Sequence, residues 1–211
     1  MPKRRSKGFA NPAQTWDARF STEDYIFGTA PNVWLTQHRG QLVPGGRVLA
    51  VADGEGRNSV WLAQQGMQVD AFDISPVGVA KAMKLARQTN VSVNYQISSA
   101  ENFDWKPGEY DAVVAIFIQF ADPDLRARLF ERMVDSLKPG GLLFLQGYTP
   151  KQLDYKTGGP PLVEHLYTEA LLRDAFQLMD MLELVSYEAV LREGTQHSGQ
   201  SALIGMLARK I

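Results

Sequence analysis

The chain of 211 residues contains no cysteine. This absence excludes disulfide bonds, metal sites built on thiolates, and catalysis by a cysteine nucleophile. An excess of either charge is also missing, because 22 Lys and Arg residues stand against 23 Asp and Glu residues. A balanced charge gives no support for a nucleic acid or an anionic membrane surface as the partner.

Long apolar runs are absent too, and none approaches the roughly 20 residues that span a bilayer. The one cluster of like charge comprises Lys3, Arg4, Arg5 and Lys7. It lacks the apolar core of a secretion signal, so we interpret it as a solvated tail. We therefore expect a cytoplasmic protein without a membrane or nucleic-acid partner. We expect it to be a monomer or a weak homodimer that binds a small molecule.

From residue 46 onward, strand-like and helix-like segments alternate, which is typical of βαβ units and a mainly parallel sheet. Helices are predicted to begin after Ser75, Asp122 and Thr168, which are good N-cap residues. The predicted strands of this part lie at about 47–52, 68–73, 92–97, 110–117 and 141–146. The pattern predicts two parts, an N-terminal tail and aromatic lid over residues 1–46 and a single domain over 47–211.

Two strand-like stretches, about 180–192 and 200–210, close the chain. A short link containing glycine joins them, so we predict an antiparallel hairpin. Before them, residues 147–167 form a long loop that carries Gly158-Gly159-Pro160-Pro161. Loops that follow the carboxyl end of a strand are favoured places for substrate contacts in open α/β sheets.

An apolar run at 48–52 breaks into the turn Asp53-Gly54-Glu55-Gly56, and a second apolar stretch ends on Asp73 about 20 residues later. This pattern is typical of an adenosine site, since glycines admit the ligand and the carboxylate holds the ribose hydroxyls. A dinucleotide fold favours a third glycine where this chain has Ser59, and it continues with a second parallel half. The predicted hairpin argues against that second half.

These segments together resemble the class I S-adenosylmethionine-dependent methyltransferases. The resemblance covers about residues 16–210 and rests on VLAVADGEGRNSVWLA, VDAFDIS, SSAENFDW, YDAVVAIF and LKPGGLLFLQGYTP, in the family's order. More narrowly, the chain is similar to the small bacterial branch with tellurite-resistance and thiopurine-type enzymes. That likeness rests on GEGRN, on the segments 16–20 and 25–32, and on Glu193-Gly194 with His197.

The resemblance implies an α/β, Rossmann-like sheet of seven strands in the order 3-2-1-4-5-7-6. Strand 7 is expected to be antiparallel, with helices on both faces of the sheet. It also implies S-adenosyl-L-methionine as the cofactor. Asp53 and Glu55 have no histidine or further acid at a useful spacing, so we expect no metal site.

Candidate cofactor-binding residues follow from the same resemblance. Asp73 is expected to hold both ribose hydroxyls, and the residues that end the fourth strand are expected to face the methyl group. Aromatic residues of the N-terminal segment are candidates for a wall beside the sulfonium. The full set is Trp16, Tyr25, Phe27, Gly28, Ala52, Asp53, Gly54, Glu55, Gly56, Arg57, Asp73, Ile74, Ser75, Ser99, Ala100, Glu101, Ala115, Ile116 and Phe117.

Two positions depart from the family pattern. Ala50 stands where the family commonly has an acid, and Ala52 stands where it has a glycine. We expect the change at Ala52 to be mild, since alanine adopts most conformations that do not need a positive φ. The change at Ala50 motivates an alternative, a non-catalytic sensor or partner protein that binds the same cofactor. A nicotinamide-dependent oxidoreductase is a third hypothesis, favoured by the glycine–acid spacing and disfavoured by the hairpin.

No residue stands out as catalytic, and the candidates are His165, His197 and Tyr148. The alternative for both histidines is that they are solvent-exposed loop residues without a role. Arg57 starts a helix, where the dipole disfavours a cation, and this indicates a ligand or an acidic partner.

The acceptor is expected to be a small molecule, since no Pro-Pro-aromatic turn follows the fourth strand. Such a turn is usual in enzymes that methylate nucleic-acid amines. A thiol, a selenium or tellurium anion, or an aromatic heteroatom would fit.

Overall fold

The computed structural model describes residues 11–211, so the basic cluster of the first seven residues lies outside the described part. The described residues form a seven-stranded sheet in the order β3-β2-β1-β4-β5-β7-β6. The strands are β1 (Arg47–Val51), β2 (Gln68–Asp73), β3 (Asn94–Ile97), β4 (Tyr110–Ile116), β5 (Leu137–Tyr148), β6 (Met179–Glu193) and β7 (His197–Lys210). β7 is antiparallel to both of its neighbours, whereas the other pairs are parallel. The predicted order and the closing hairpin are confirmed.

Helices cover both faces of the sheet. Three of them begin at the predicted caps, because the side chains of Ser75, Asp122 and Thr168 each accept the backbone N–H three residues further on. The helices are α1 (Pro12–Phe20), α2 (Val33–Gln37), α3 (Arg57–Gln64), α4 (Pro76–Gln88), α5 (Pro123–Ser136), α6 (Gln152–Tyr155) and α7 (Glu169–Ala175). No helix within residues 11–211 has the length and apolar character that crossing a bilayer requires.

The strand boundaries differ from the prediction at β5. This strand begins at Leu137 rather than near 141, because Leu137 already pairs with Tyr110. The ladder then shifts register before Ala112 pairs with Leu142, which accommodates the Pro-Gly-Gly segment inside the strand. The irregular start follows from the tertiary pairing, which local turn signals do not report.

Side chains of β1 alternate between two apolar layers, as expected for a strand buried on both faces. Leu49 and Val51 belong to the layer that α5 and α7 complete. Val48 belongs to the opposite layer, where Trp34 and Leu35 of α2 cover the sheet. The two layers hold the carboxyl ends of the parallel strands in fixed positions.

Residues 22–25 of the N-terminal segment are attached to α4. The ammonium of Lys81 donates to the carbonyls of Thr22 at 3.0 Å and Asp24 at 2.7 Å, and it also pairs with Glu55. The hydroxyl of Tyr25 donates to the backbone carbonyl of Lys81 at 3.2 Å. These contacts fix residues 22–25 beside α4.

The same segment is attached to the β6–β7 hairpin on its other side. The carbonyl of Ile26 accepts the backbone N–H groups of Thr195 at 2.9 Å and Gln196 at 3.1 Å. Gly194 lies so close that a Cβ there would stand 2.2 Å from the Ile26 oxygen. Its φ of +67° also favours glycine. The segment therefore bridges α4 and the hairpin.

Gly205 of β7 provides a test of the layer under α2. A Cβ at this position would lie 2.6 Å from Cε3 of Trp34, so we expect Gly205→Ala to destabilise the protein by about 1–3 kcal/mol. Gly40→Ala is the matched control, since nothing lies within 4 Å of its Cβ position. Urea unfolding measures both variants, and equal stabilities would contradict the close approach of Trp34.

Candidate active site

The carboxyl ends of β1, β2 and β4 open on one continuous cavity of about 560 Å³. This volume is within the range of small-molecule sites. Its lining comes from the turn after β1, the ends of β2 and β4, α1, the loop after β5 and the β6–β7 link. The cavity thus joins elements that are far apart in the chain.

The turn after β1 is strained at its first residue. Ala52 has a φ of +49°, in the left-handed region that favours glycine. The expectation of a mild change at Ala52 is therefore wrong, since this position does need a positive φ. A non-glycine residue in this region costs roughly 1–2 kcal/mol. Phe117, directly after β4, is in the same region with a φ of +56°.

The two glycines of the turn have different neighbours. A Cβ on Gly54 would lie 3.3 Å from the ring of Phe20, so this residue lets α1 approach the turn. A Cβ on Gly56 would lie 2.6 Å from Cβ of Ala82, so Gly56 lets α3 and α4 approach each other. Of the two, only Gly54 lines the cavity.

Asp73 lies at the end of β2 and lines the cavity. Its two carboxylate oxygens accept the backbone N–H groups of Gly54 and Ser75, each at 2.9 Å. Burial raises the pKa of Asp73 to about 6, although these hydrogen bonds oppose the shift. Each oxygen has lone pairs left, so the held carboxylate can accept further hydrogen bonds from a ligand.

Asp53 is the second buried carboxyl group of this turn. Its Oδ1 accepts the backbone N–H of Ser59 at 3.3 Å, whereas its buried Oδ2 has no hydrogen-bond partner. Burial raises the pKa of Asp53 to about 7, and the hydrogen bonds from Ser59 limit the shift. The folded protein therefore stabilises the ionised form of this side chain less well than water does.

The other half of the cavity is aromatic and centres on His197, at the start of β7. The centroid of its ring lies 4.5 Å from that of Phe27, 4.4 Å from that of Phe117 and 5.7 Å from that of Tyr148. His197 is 8% exposed. Burial lowers its pKa, and the neighbouring Glu193 only partly opposes this shift.

Glu193 connects this half to the rest of the fold. One oxygen lies 2.9 Å from Nη1 of Arg57 and 3.5 Å from Nδ1 of His197. The other accepts Nδ2 of Asn32 at 3.2 Å. Burial raises the pKa of Glu193, but His197 and Arg57 outweigh it and hold the pKa below its usual range. The acidic partner expected for Arg57 is Glu193.

His165 is held by the residue Gln119, two positions after Phe117. The Gln119 side chain donates to the carbonyls of Tyr148 at 2.9 Å and His165 at 3.1 Å. The Gln119 carbonyl lies 3.0 Å from Nδ1 of His165. Because a carbonyl only accepts, Nδ1 carries the proton and Nε2 is an acceptor. His165 and His197 are both buried, so the expectation that they are exposed loop residues is wrong.

Most of the predicted site residues meet at the cavity. All three catalytic candidates, Tyr148, His165 and His197, line it. The predicted cofactor-binding residues that line it are Trp16, Phe27, Ala52, Asp53, Gly54, Arg57, Asp73, Ile74, Ser99, Ala100, Glu101, Ile116 and Phe117.

Six predicted residues lie beside the cavity lining and hold it in place. Tyr25 and Glu55 both bind Lys81, and Ala115 is buried in the apolar core. The full group is Tyr25, Gly28, Glu55, Gly56, Ser75 and Ala115. Ala50, buried inside β1, does not line the cavity either.

Among the lining residues that were not predicted from the sequence are Asn58, Gln119, Phe120 and Leu125. The loop 147–167 was predicted as a place for substrate contacts, and residues 158–162 of that loop line the cavity. Gln119 lies three residues after the buried strand β4, and this position near the carboxyl end of a strand is the signal that points to it.

A family model described as a methyltransferase domain matches residues 48–141. The matched segment makes up less than half of the chain. It contains the glycine turn, Asp73 and the end of β4. Over 104 residues the chain is also 38% identical to a ubiquinone biosynthesis O-methyltransferase of Xanthomonas campestris pv. campestris (strain B100). That match covers 49% of this chain and 43% of the relative, so the chain spans less than half the length of this curated relative.

Solved structures share the fold of this chain. TehB from Haemophilus influenzae superposes with a TM-score of 0.72 at 19% identity, over 94% of this chain and 67% of that one. The N-methyltransferase NodS from Bradyrhizobium japonicum, in complex with S-adenosyl-L-homocysteine, gives 0.69 at 13% identity, over 94% and 97%.

The predicted cofactor is S-adenosyl-L-methionine, and the NodS structure, which shares the fold, holds S-adenosyl-L-homocysteine. The cavity agrees with that cofactor on two points. The Asp73 carboxylate is held with lone pairs to spare, and the adjoining turn has no Cβ at Gly54.

Asp53 makes the stability of the protein depend on pH. The pKa of Asp53 is about 7 in the fold against an ordinary value of 3.8, so the folded state binds more protons between these values. The free energy of unfolding therefore falls as pH rises from about 4 to 7, and Asp73 adds a decline of the same sign up to about 6.

We expect Asp53→Asn to remove the larger part of this decline, because the amide keeps an oxygen for the Ser59 N–H and carries no charge. At pH 8, without cofactor, the variant should then be more stable than the wild type. Urea unfolding at pH 5.5 and pH 8 measures the difference. An equal loss of stability in both proteins would show that the Asp53 charge is not the cause.

Proposed function

We propose that this protein is a methyltransferase that moves the methyl group of S-adenosylmethionine to a small-molecule acceptor. The observation that carries the proposal is the continuity of the cavity. It runs from the Asp73 carboxylate, past the glycine turn, to the aromatic half around Phe117 and His197. A cofactor and an acceptor can therefore meet inside it, away from water. A cytoplasmic location and a monomeric or weakly dimeric state stay predictions.

In this proposal the adenosine part lies at the ends of β1, β2 and β3. Asp73 accepts both ribose hydroxyls, and Ile74 and Ala100 flank the adenine. The methionine part follows the turn after β1, which directs the methyl group toward Phe117. Two of the four non-glycine residues with a positive φ in the described part of the chain, Ala52 and Phe117, follow the adjacent strands β1 and β4, where this part would lie. Strain at such positions is common at ligand sites.

Arg19 places a positive charge in the lining of the cavity. Its guanidinium lies 4.4 Å from the ring centroid of Trp16 and donates to the side chain of Gln196 at 3.1 Å. No carboxylate pairs with it among residues 11–211. We assign it to the carboxylate of the methionine part or to an anionic group of the acceptor.

Methyl transfer from a sulfonium is a direct displacement, in which nucleophile, methyl carbon and sulfur lie in line. When bound, the cofactor supplies the electrophilic methyl group. The main contribution of the protein is orientation, which can be worth on the order of 7–11 kcal/mol. The faces of Phe27 and Phe117 can stabilise a nearby positive charge by roughly 0.5–2 kcal/mol.

The aromatic half of the cavity around His197, where the acceptor would bind, is suited to a small, mostly apolar molecule. The cavity lining includes the apolar residues Phe117, Phe120 and Leu125, together with the loop segment 158–162. A thiol, a selenium or tellurium nucleophile and an aromatic heteroatom all fit this description. The likeness to TehB at 19% identity supports the fold, and membership of the tellurite-resistance branch stays a prediction.

The two alternative functions have less support. The sensor hypothesis rests on Ala50, yet Ala50 is buried inside β1 and does not line the cavity. A nicotinamide-dependent oxidoreductase needs a second parallel half-fold, whereas this sheet closes with the antiparallel strand β7.

The role of Asp73 predicts how cofactor binding depends on pH. The ribose hydroxyls donate to the ionised carboxylate, and the pKa of Asp73 is about 6. We therefore expect the affinity for S-adenosylhomocysteine to fall about tenfold between pH 7 and pH 5. Asp73→Asn should weaken binding by about 1.5–3 kcal/mol and remove the pH step. Calorimetric titration measures both proteins, with Asp53→Asn as the control that retains the step.

Release of S-adenosylhomocysteine in the presence of thiol, selenide and aromatic acceptors tests the whole proposal. We expect turnover with at least one acceptor class and loss of turnover in Asp73→Asn. Binding of the cofactor without transfer to any acceptor would favour the sensor. Tight binding of NAD with no response to S-adenosylmethionine would exclude the proposed function.

A further inference from the structure

His197 has the environment of a proton acceptor. Nδ1 faces the Glu193 carboxylate at 3.5 Å, and a carboxylate with a lowered pKa only accepts hydrogen bonds. No hydrogen bond joins Nδ1 to this carboxylate, but the nearby negative charge favours the tautomer that carries its proton on Nδ1 and leaves Nε2 as the acceptor. Because burial lowers the pKa of His197, the ring is neutral at working pH.

The charged and titratable groups around His197 come from four elements. Glu193 ends β6, Arg57 begins α3, Arg19 lies on α1 and Tyr148 ends β5. Arg57 and Glu193 compensate each other at 2.9 Å. The carboxylate remains near enough to stabilise an imidazolium once His197 has taken a proton.

His165 lacks this support. Its Nδ1 contacts the backbone carbonyl of Gln119, and no carboxylate pairs with it among residues 11–211. A carbonyl orients the ring but carries no net charge to stabilise an imidazolium. Of the two buried histidines, His197 is therefore the better base.

Aromatic rings make up much of the surroundings of His197. The rings of Phe27, Phe117 and Tyr148 lie next to it, and Phe120 and Leu125 also line the cavity. Stacked and edge-to-face contacts of this kind favour a planar aromatic ring. A thiolate or a selenium or tellurium anion would need neither these rings nor a base.

We propose, on the basis of the proposed function, that Glu193 and His197 form a proton-accepting pair and that the acceptor is an aromatic ring bearing a protonated hydroxyl group. Nε2 of His197 takes the hydroxyl proton as the oxygen bonds to the methyl carbon. The carbon–sulfur bond breaks, and its electron pair stays on sulfur. One positive charge leaves the sulfur and one appears on the imidazole, so the net charge of the buried site is unchanged.

A series of phenols of graded acidity tests this pair, because an acidic phenol that is already ionised needs no base. His197→Ala should slow transfer to neutral phenols by about 10²–10⁴-fold and to ionised phenols by less than tenfold. Added imidazole should restore part of the lost rate. The affinity for S-adenosylhomocysteine should change by less than about twofold.

His38→Ala is the matched control. It breaks a second histidine–glutamate contact, 2.9 Å from His38 to Glu183 of β6, and His38 does not line the cavity. We expect its transfer rates to equal those of the wild type.

The wild type provides a measurement that does not depend on the folding of a variant. As the pH increases, its rate of methyl transfer to neutral phenols should rise with a single ionisation whose pKa lies below the ordinary histidine value. The rate with ionised phenols should not show this step.

Three outcomes would overturn the proposal while leaving the proposed function intact. The first is an equal loss of transfer rate with both phenol classes in His197→Ala. The second is an identical pH profile of the wild-type rate for both classes. The third is transfer to thiols or selenide without transfer to any phenol. Binding of S-adenosylhomocysteine without transfer to any acceptor would instead contradict the proposed function itself.

Discussion

The cavity depends on the buried ion pair between Arg57 and Glu193. It joins α3, which follows the glycine turn, to the end of β6, and Asn32 ties the N-terminal segment to the same carboxylate. Removing two charges from water costs several kcal/mol per ion, and only good geometry and complete hydrogen bonding offset that cost. Losing one partner would leave the other charge buried. The pair therefore holds three parts of the chain in one arrangement.

The fold was largely predictable because its signals are local. Ser75-Pro76 and Asp122-Pro123 predict helix starts, because Ser and Asp cap the backbone N–H groups and the φ of Pro is already helical. Both helices begin at these residues. The glycine-bearing link before β7 indicates the hairpin, whereas the order of the strands in the sheet came from the family resemblance. The start of β5 was not predictable in this way. Leu137 enters the strand because Tyr110 pairs with it, and that partner is 27 residues away in sequence.

The candidate site was predictable only where it follows strands. Asp73 and the residues around Phe117 follow from the rule that ligands bind at the carboxyl ends of parallel strands. The Arg57 side chain was visible as a cation at an unfavourable helix start, but its partner was not. Asn32 and Glu193 are 161 residues apart, and no local pattern connects them. The strain at Ala52 could not be predicted either, because its positive φ follows from tertiary structure and alanine, unlike glycine, does not indicate one.

One cause, burial, shifts the ionisable groups of the cavity. It raises the pKa of Asp53 and Asp73 and lowers that of His197, so each group is pushed toward its neutral form. In the proposed function, a cofactor whose hydroxyls bind ionised Asp73, and whose sulfonium brings a positive charge, would work against that tendency at one end. Proton uptake by His197 works against it at the other, with Glu193 as the compensating charge. The enclosure that excludes water thus also prepares these groups to exchange charge with ligands.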